Sequence, residues 1–206
     1  MIRRAVVVLL TLGGAALLLL AWQVDAWHDR MTGDDVRFQV TPTAARMWDA
    51  PGGPASASAR RLLGLGDDLR FRAAEHQFVL VHVASRSYAD EAKRLAAFGE
   101  AQSALERLAR ADPAPARRSR AANLLGILLW ENAETAQENA PLLLRQSVDA
   151  FRRAIDASPD NDDAKYNLEV LLTVLRPTGE RRRDAPEDAG GAGLRGAGIA
   201  APGRGY

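Results

Sequence analysis

The sequence predicts an all-α protein: one helix of membrane length, then a short domain of antiparallel helices. Two observations carry this. Residues Ala5 to Val24, AVVVLLTLGGAALLLLAWQV, hold only Thr11 and Gln23 as polar side chains. Beyond residue 66, apolar residues recur at helical spacing and are interrupted by short corners rich in Asp, Asn and Pro.

The apolar run comes first. Twenty residues at about 1.5 Å each span roughly 30 Å, the thickness of a bilayer's hydrocarbon core. Arg3 and Arg4 precede it, and Asp25, Asp29, Asp34 and Asp35 follow it. The positive-inside rule then expects residues 1–4 in the cytoplasm, 5–24 as a transmembrane anchor and the remainder outside. Trp22 and Trp27 fall where interfacial aromatics belong. The competing expectation is a signal peptide cleaved near Ala26, although the run exceeds the usual h-region. Under either expectation the rest of the chain is exported.

Residues 25–66 are expected to be an irregular spacer. Val36 to Val40 alternates like a short strand ended by Thr41-Pro42, residues 43–49 allow a helical turn or two, and APGGPASAS (Ala50 to Ser58) has linker composition. The helical domain is expected over 67–176. Asp67-Asp68 cap a helix reaching Ala84, whose apolar stripe comprises Leu69, Ala73, Gln77 and Leu80 with Phe71, Ala74, Phe78 and Val81. Ser87 opens a second helix, Tyr88 to Arg110, with Ala92, Leu95, Ala96, Ala101, Leu105 and Leu108 inward, until Asp112-Pro113 stops it. A third runs from Pro115 to Glu131 or a turn beyond. A fourth starts at Pro141, with Asn139 as cap, and ends at Ser158; its stripe is Leu144, Val148, Phe151 and Ile155. The last extends from Asn161 or Asp162 to Leu175, before Pro177. Residues 177–206 are rich in Gly and Pro without apolar periodicity, the composition of a disordered tail.

Paired helices with tight corners invite a search for a period. Phe151, Ala154 and Pro159 stand at the mutual spacings of the second helix of a tetratricopeptide repeat, with Ser147 at its small position. Ala164, Tyr166, Asn167 and Leu168 match the AxYNL opening of a following unit, and Leu125-Gly126 supplies the first-helix Leu-Gly pair. The chain therefore resembles tetratricopeptide-repeat proteins over 121–175, with a degenerate pattern before Pro113. Between Gly126 and Ser147 it is about nine residues longer than a standard repeat. The resemblance implies an all-α fold: an N-terminal transmembrane helix, then a tetratricopeptide-like antiparallel helical-repeat domain.

A further combination is a single anchor, a Leu-Leu-Gly helix, SPDNDDAKYNLE followed by Leu171-Leu172, and a Gly-rich tail ending GRGY. It resembles the tetratricopeptide membrane proteins encoded beside MoxR-type ATPases and von Willebrand factor A-domain proteins in actinobacteria, relatives of the Bat aerotolerance group. That resemblance implies protein partners within an envelope assembly.

Chemistry finds little support. Lys and Arg total 27 against 26 Asp and Glu, so no polyanion or nucleic-acid role is favoured. Without cysteine there are no disulfides, thiolate metal sites or thiol nucleophiles. His76 and His82, six residues apart, do not share a helical face, and His28 lies beside the membrane. Gly191 to Gly196 spells GxGxxG, but without the flanking strand and helix that dinucleotide binding needs. Arg181 to Arg183 are offset by Asp184, Glu187 and Asp188. No catalytic residue, metal ligand or cofactor is expected, and the chain is not expected to be an enzyme.

What remains is a surface. In the repeat family first-helix residues line a concave face that receives peptides, which here implies Asn123, Ile127, Trp130, Glu131, Tyr166 and Val170 as protein-binding candidates. Core packing competes for Ile127 and Trp130. The repeat-defining structural set is Leu125, Gly126, Ser147, Phe151, Ala154, Pro159, Ala164, Tyr166 and Leu168. Two other classes stay open: a substrate-binding or catalytic domain with a lid at 131–140, and a self-associating anchor, the latter weakened by the lack of GxxxG around Gly13-Gly14.

Overall fold

A computed structural model describes residues 2–84, 91–136 and 138–176. The expected cap at Ser87, the helix start at Tyr88, the triple arginine, GxGxxG and the rest of the 177–206 tail lie outside these residues. The described chain is helical, with no strand: α1 (Ile2–Val40), α2 (Ser56–Leu62), α3 (Gly66–Ala84), α4 (Glu91–Ala111), α5 (Pro115–Thr135), α6 (Ala140–Ala157) and α7 (Asp162–Leu175). The described residues fall into two compact units, one up to Arg72 and one from Ala73 on, the division lying inside α3.

In the first unit, α1 does not stop where its apolar run ends. It continues for four more turns through the stretch expected to be irregular, and Val36 to Val40 is helix rather than strand. Extending an existing helix avoids the cost of nucleation, and four residues at spacings of four, three and four give the extension a face: Gln23, Trp27, Arg30 and Asp34. Gln23, Trp27 and Asp34 are buried, whereas residues 2–19 are exposed throughout. The chain from Thr41 folds back over this face. Trp27 donates its indole N–H to the Ser56 carbonyl at 2.9 Å, and Gln23 Nε2 donates to the Gly52 carbonyl at 3.0 Å. Trp27, expected at a membrane interface, is therefore a packing residue, whereas Trp22 is 58% exposed.

Trp48 holds the returning loop. Its backbone sits at φ 54°, a left-handed conformation that costs a bulky residue of order 1–2 kcal/mol. Several contacts offset this. Its N–H donates to Asp34 Oδ2 at 2.6 Å and its indole N–H to Asp35 Oδ1 at 2.8 Å. The ring meets Phe38 at a centroid distance of 5.3 Å and lies under the Arg72 guanidinium at 5.6 Å. Arg30 Nε, 2.9 Å from Asp34 Oδ2, helps neutralise that buried carboxylate, and Arg72 pairs with both Asp35 and Asp68.

The second unit is organised around α5. Every residue from Ala121 to Trp130 is buried, so the helix is covered on all sides. It packs against α4 and most extensively against α6, which in turn packs against α7. Short connections make these sequence neighbours antiparallel. At the α4–α5 corner Asp112 is the pivot: its carboxylate accepts from Ala114 N at 2.8 Å and from Arg117 Nε at 3.0 and 3.1 Å. In α3 the Phe71, Ala74, Phe78, Val81 stripe is buried, while Leu69, Gln77 and Leu80 are half-buried and Ala73 is exposed. In α4 Ala101, Leu105 and Leu108 are inward as expected, but Ala92, Leu95 and Ala96 are exposed. The first two turns of α4 thus extend past the residues that cover its second half.

The α5–α6 seam depends on missing side-chain volume. A Cβ placed on Gly126 would lie 2.5 Å from Phe151 Cε1 and 2.7 Å from Cδ1, so the ring occupies the space glycine leaves. Ser147 Oγ donates to the Gly126 carbonyl at 2.7 Å across the same crossing. Ala122, Ala154 and Ala164 form a small-residue cluster where α5, α6 and α7 meet.

Gly126→Ala is expected to cost roughly 1–3 kcal/mol through overpacking, despite alanine's better helix propensity. Urea unfolding of the detergent-solubilised chain, followed by Trp fluorescence, checks this. Adding Phe151→Leu should recover part of the loss, since the two residues share one contact.

Candidate interaction surface

The expected binding residues separate into two groups. Asn123 and Ile127 are 2% and 0% exposed, and Trp130 is 8% exposed, so all three belong to the interior of α5. Asn123 is there as half of a buried pair, its Oδ1 accepting from Asn167 Nδ2 at 3.0 Å. That bond is a physical reason for an asparagine on an otherwise apolar helix: a buried donor and a buried acceptor meet where water is absent. Glu131, Tyr166 and Val170 remain partly exposed. Glu131 Oε1 lies 2.7 Å from His82 Nδ1, so this carboxylate ties α5 to α3. His82 also stacks on Phe78, with centroids 5.8 Å apart.

The residues expected to define a repeat lie along the α5–α6 seam and at the α6–α7 corner. Leu125, Ser147, Phe151, Ala154 and Ala164 are all 0% exposed, while Tyr166 and Leu168 are half-buried. Pro159, exposed, follows Ser158, the C-cap of α6. Asn161 caps α7 by accepting from Ala164 N at 3.0 Å, and its Nδ2 donates to Ser119 Oγ at 2.7 Å. Ser119 in turn donates to the Ala154 carbonyl at 2.7 Å. One asparagine therefore starts α7 and locks it to both α5 and α6. Asn139 also occupies an N-cap position, at α6, but its side chain makes no capping bond; its carbonyl accepts from Leu142 and Leu143 N instead.

The segment 131–140, a lid in one of the alternatives left open, gives its first half, 131–135, to the end of α5. That helix runs to Thr135 and α6 begins at Ala140, leaving 136–139 as connection, of which 137 is outside the described residues. Among the described residues no three His, Asp or Glu side chains are grouped as a metal would need.

A surface that the periodicity concealed lies on α6. Leu144 and Val148, expected in its core stripe, are only half-buried, because α5 covers the Ser147, Ala150, Phe151, Ala154 face. With Ala140, Pro141 and Leu175 they line an open groove of about 620 Å³, bordered by Arg145, Asp149 and Arg152. Leu142, Leu172 and Val174 are also exposed on these two helices. The signal available beforehand was the run Leu142-Leu143-Leu144, since three adjacent leucines cannot all face one neighbour on a helix.

Compared with known proteins, the chain matches no family model, no curated protein and no solved structure.

Leu144→Ser is expected to change stability by no more than about 1 kcal/mol, as for a surface site, whereas Phe151→Ala should cost about 3–5 kcal/mol. Parallel urea titrations of the two variants separate groove lining from core.

Proposed function

We propose that the protein is a non-enzymatic, membrane-anchored helical-repeat scaffold that binds other envelope proteins. The observation that carries the repeat reading is the α5–α6 seam: Gly126 yields its space to the Phe151 ring while Ser147 bonds across the crossing. Small and large residues paired in this way support a tetratricopeptide-like reading. The Asn161 cap and the Ala122, Ala154, Ala164 cluster support an α7 that closes the stack.

α1 is the membrane-crossing element in this reading. By length and composition it can span a bilayer, and its apolar window is unburied. Cleavage near Ala26 would remove Gln23, which is fully buried against the returning loop, and this favours a retained anchor over a leader. Arg3 and Arg4 favour a cytoplasmic N-terminus, with the domain outside. The α6–α7 groove offers apolar anchor points at Leu144, Val148 and Leu175, with two arginines beside one aspartate. It suits a partner segment with apolar side chains and acidic neighbours. Partners from a MoxR-type ATPase and A-domain assembly are the class that the family resemblance suggests.

A photo-crosslinking amino acid at Leu144 is expected to capture one or a few defined envelope proteins in intact cells. Random capture, or none, removes the scaffold reading. Topology is checked separately: protease added to spheroplasts should digest the domain, and full protection reverses the orientation. Mass spectrometry of the membrane-extracted chain should find peptides from Arg4 to Arg30 intact.

A further inference from the structure

The returning loop of the first unit has a direction relative to α1. Arg30 donates to the Arg46 carbonyl at 3.0 Å, and Trp48 N reaches Asp34 at 2.6 Å. Four residues later Gly52 is at Gln23, and four residues after that Ser56 is at Trp27. Asp34 to Gln23 is eleven positions, or about 16 Å along the helix axis. From Trp48 the chain therefore descends toward the apolar half of α1, turns at 51–54, and climbs again into α2.

This turn is the part of the folded loop nearest the exposed apolar segment, and three features fit it to that place. Gly53 has φ 131°, and a Cβ on it would collide with Gln23 Nε2, so the backbone closes directly around residue 23. Residues 50–59, APGGPASASA, contain no charged side chain, whereas Asp49 precedes them and Arg60 follows. Trp22, exposed at the same level, is the residue type that favours the membrane–water interface. If the hydrocarbon core takes up the apolar run, residue 23 stands at its edge, where the headgroup layer occupies roughly the next 5–7 Å. A charge pressed against the edge of the hydrocarbon core would cost desolvation; this turn brings none.

We infer that the Pro51–Pro54 turn sits in the lipid headgroup layer and sets the depth at which α1 leaves the bilayer. The inference rests on the membrane-crossing reading of α1. The chain's lack of cysteine permits single-cysteine variants carrying an environment-sensitive fluorophore. Leu10→Cys, Pro54→Cys and Val40→Cys all use exposed positions. The full chains are reconstituted into phosphatidylcholine–phosphatidylglycerol vesicles containing lipid spin-labelled either on the headgroup or deep in the acyl chain. The probe at 10 is expected to lose fluorescence to the acyl-chain label, the probe at 54 to the headgroup label, and the probe at 40 to neither. Quenching at 10 with position 54 behaving like 40 overturns the inference and leaves the anchor standing. An unquenched probe at 10 removes the anchor reading, and the inference with it.

Discussion

Covering α5 on every side is the constraint on which the second unit depends. A helix buried from Ala121 to Trp130 needs neighbours around its whole circumference, and close approach is possible only where side chains are small. Gly126 allows α6 to come near enough for Phe151 to be fully enclosed. Burying that ring contributes about 1.5–3 kcal/mol, and the same approach brings Ser147 within reach of the Gly126 carbonyl. The small cluster at Ala122, Ala154 and Ala164 extends the fit to α7.

Full burial also obliges each polar side chain on α5 to find a partner. Ser119 and Asn123 do so on α6 and α7, and the second-unit corner at Asn161 joins the same network. These bonds connect three helices at fixed register, which apolar contacts alone do less sharply. Coverage on one side of α6 leaves the other side open, and the Leu144, Val148, Leu175 groove follows from that asymmetry.

The first unit solves a different problem, a long helix with two unlike halves. Its leading half exposes apolar side chains with nothing packed on them, while its trailing half carries one polar and aromatic face. The chain from Thr41 to Ser56 supplies that face with backbone carbonyls and N–H groups, and Trp48 accepts a strained backbone to do it. A spacer that did not pack back on α1 would leave the Asp34 carboxylate and the Trp27 ring in water. Folding back gives both a partner.

Much of the architecture was legible in the residues themselves. The apolar run announced α1, and Pro113, Pro115, Pro141 and Pro177 bounded the later helices because proline's geometry acts locally. Gly126, Ser147, Phe151 and Ala154 were singled out by resemblance to a known helical pattern, and Gly126, Ser147 and Phe151 do meet at one seam. What sequence could not decide was which of several apolar faces would be covered. Asn123 and Ile127 could have lined a surface until α5 proved to be enclosed, and Leu144 could have been core until α5 covered the adjacent face of α6. Likewise, Val36 to Val40 alternates like a strand, yet the helix persists because distant residues 46–56 cover its preceding turns. Local geometry follows from neighbours in the chain; exposure follows from neighbours in space, and only tertiary packing supplies those.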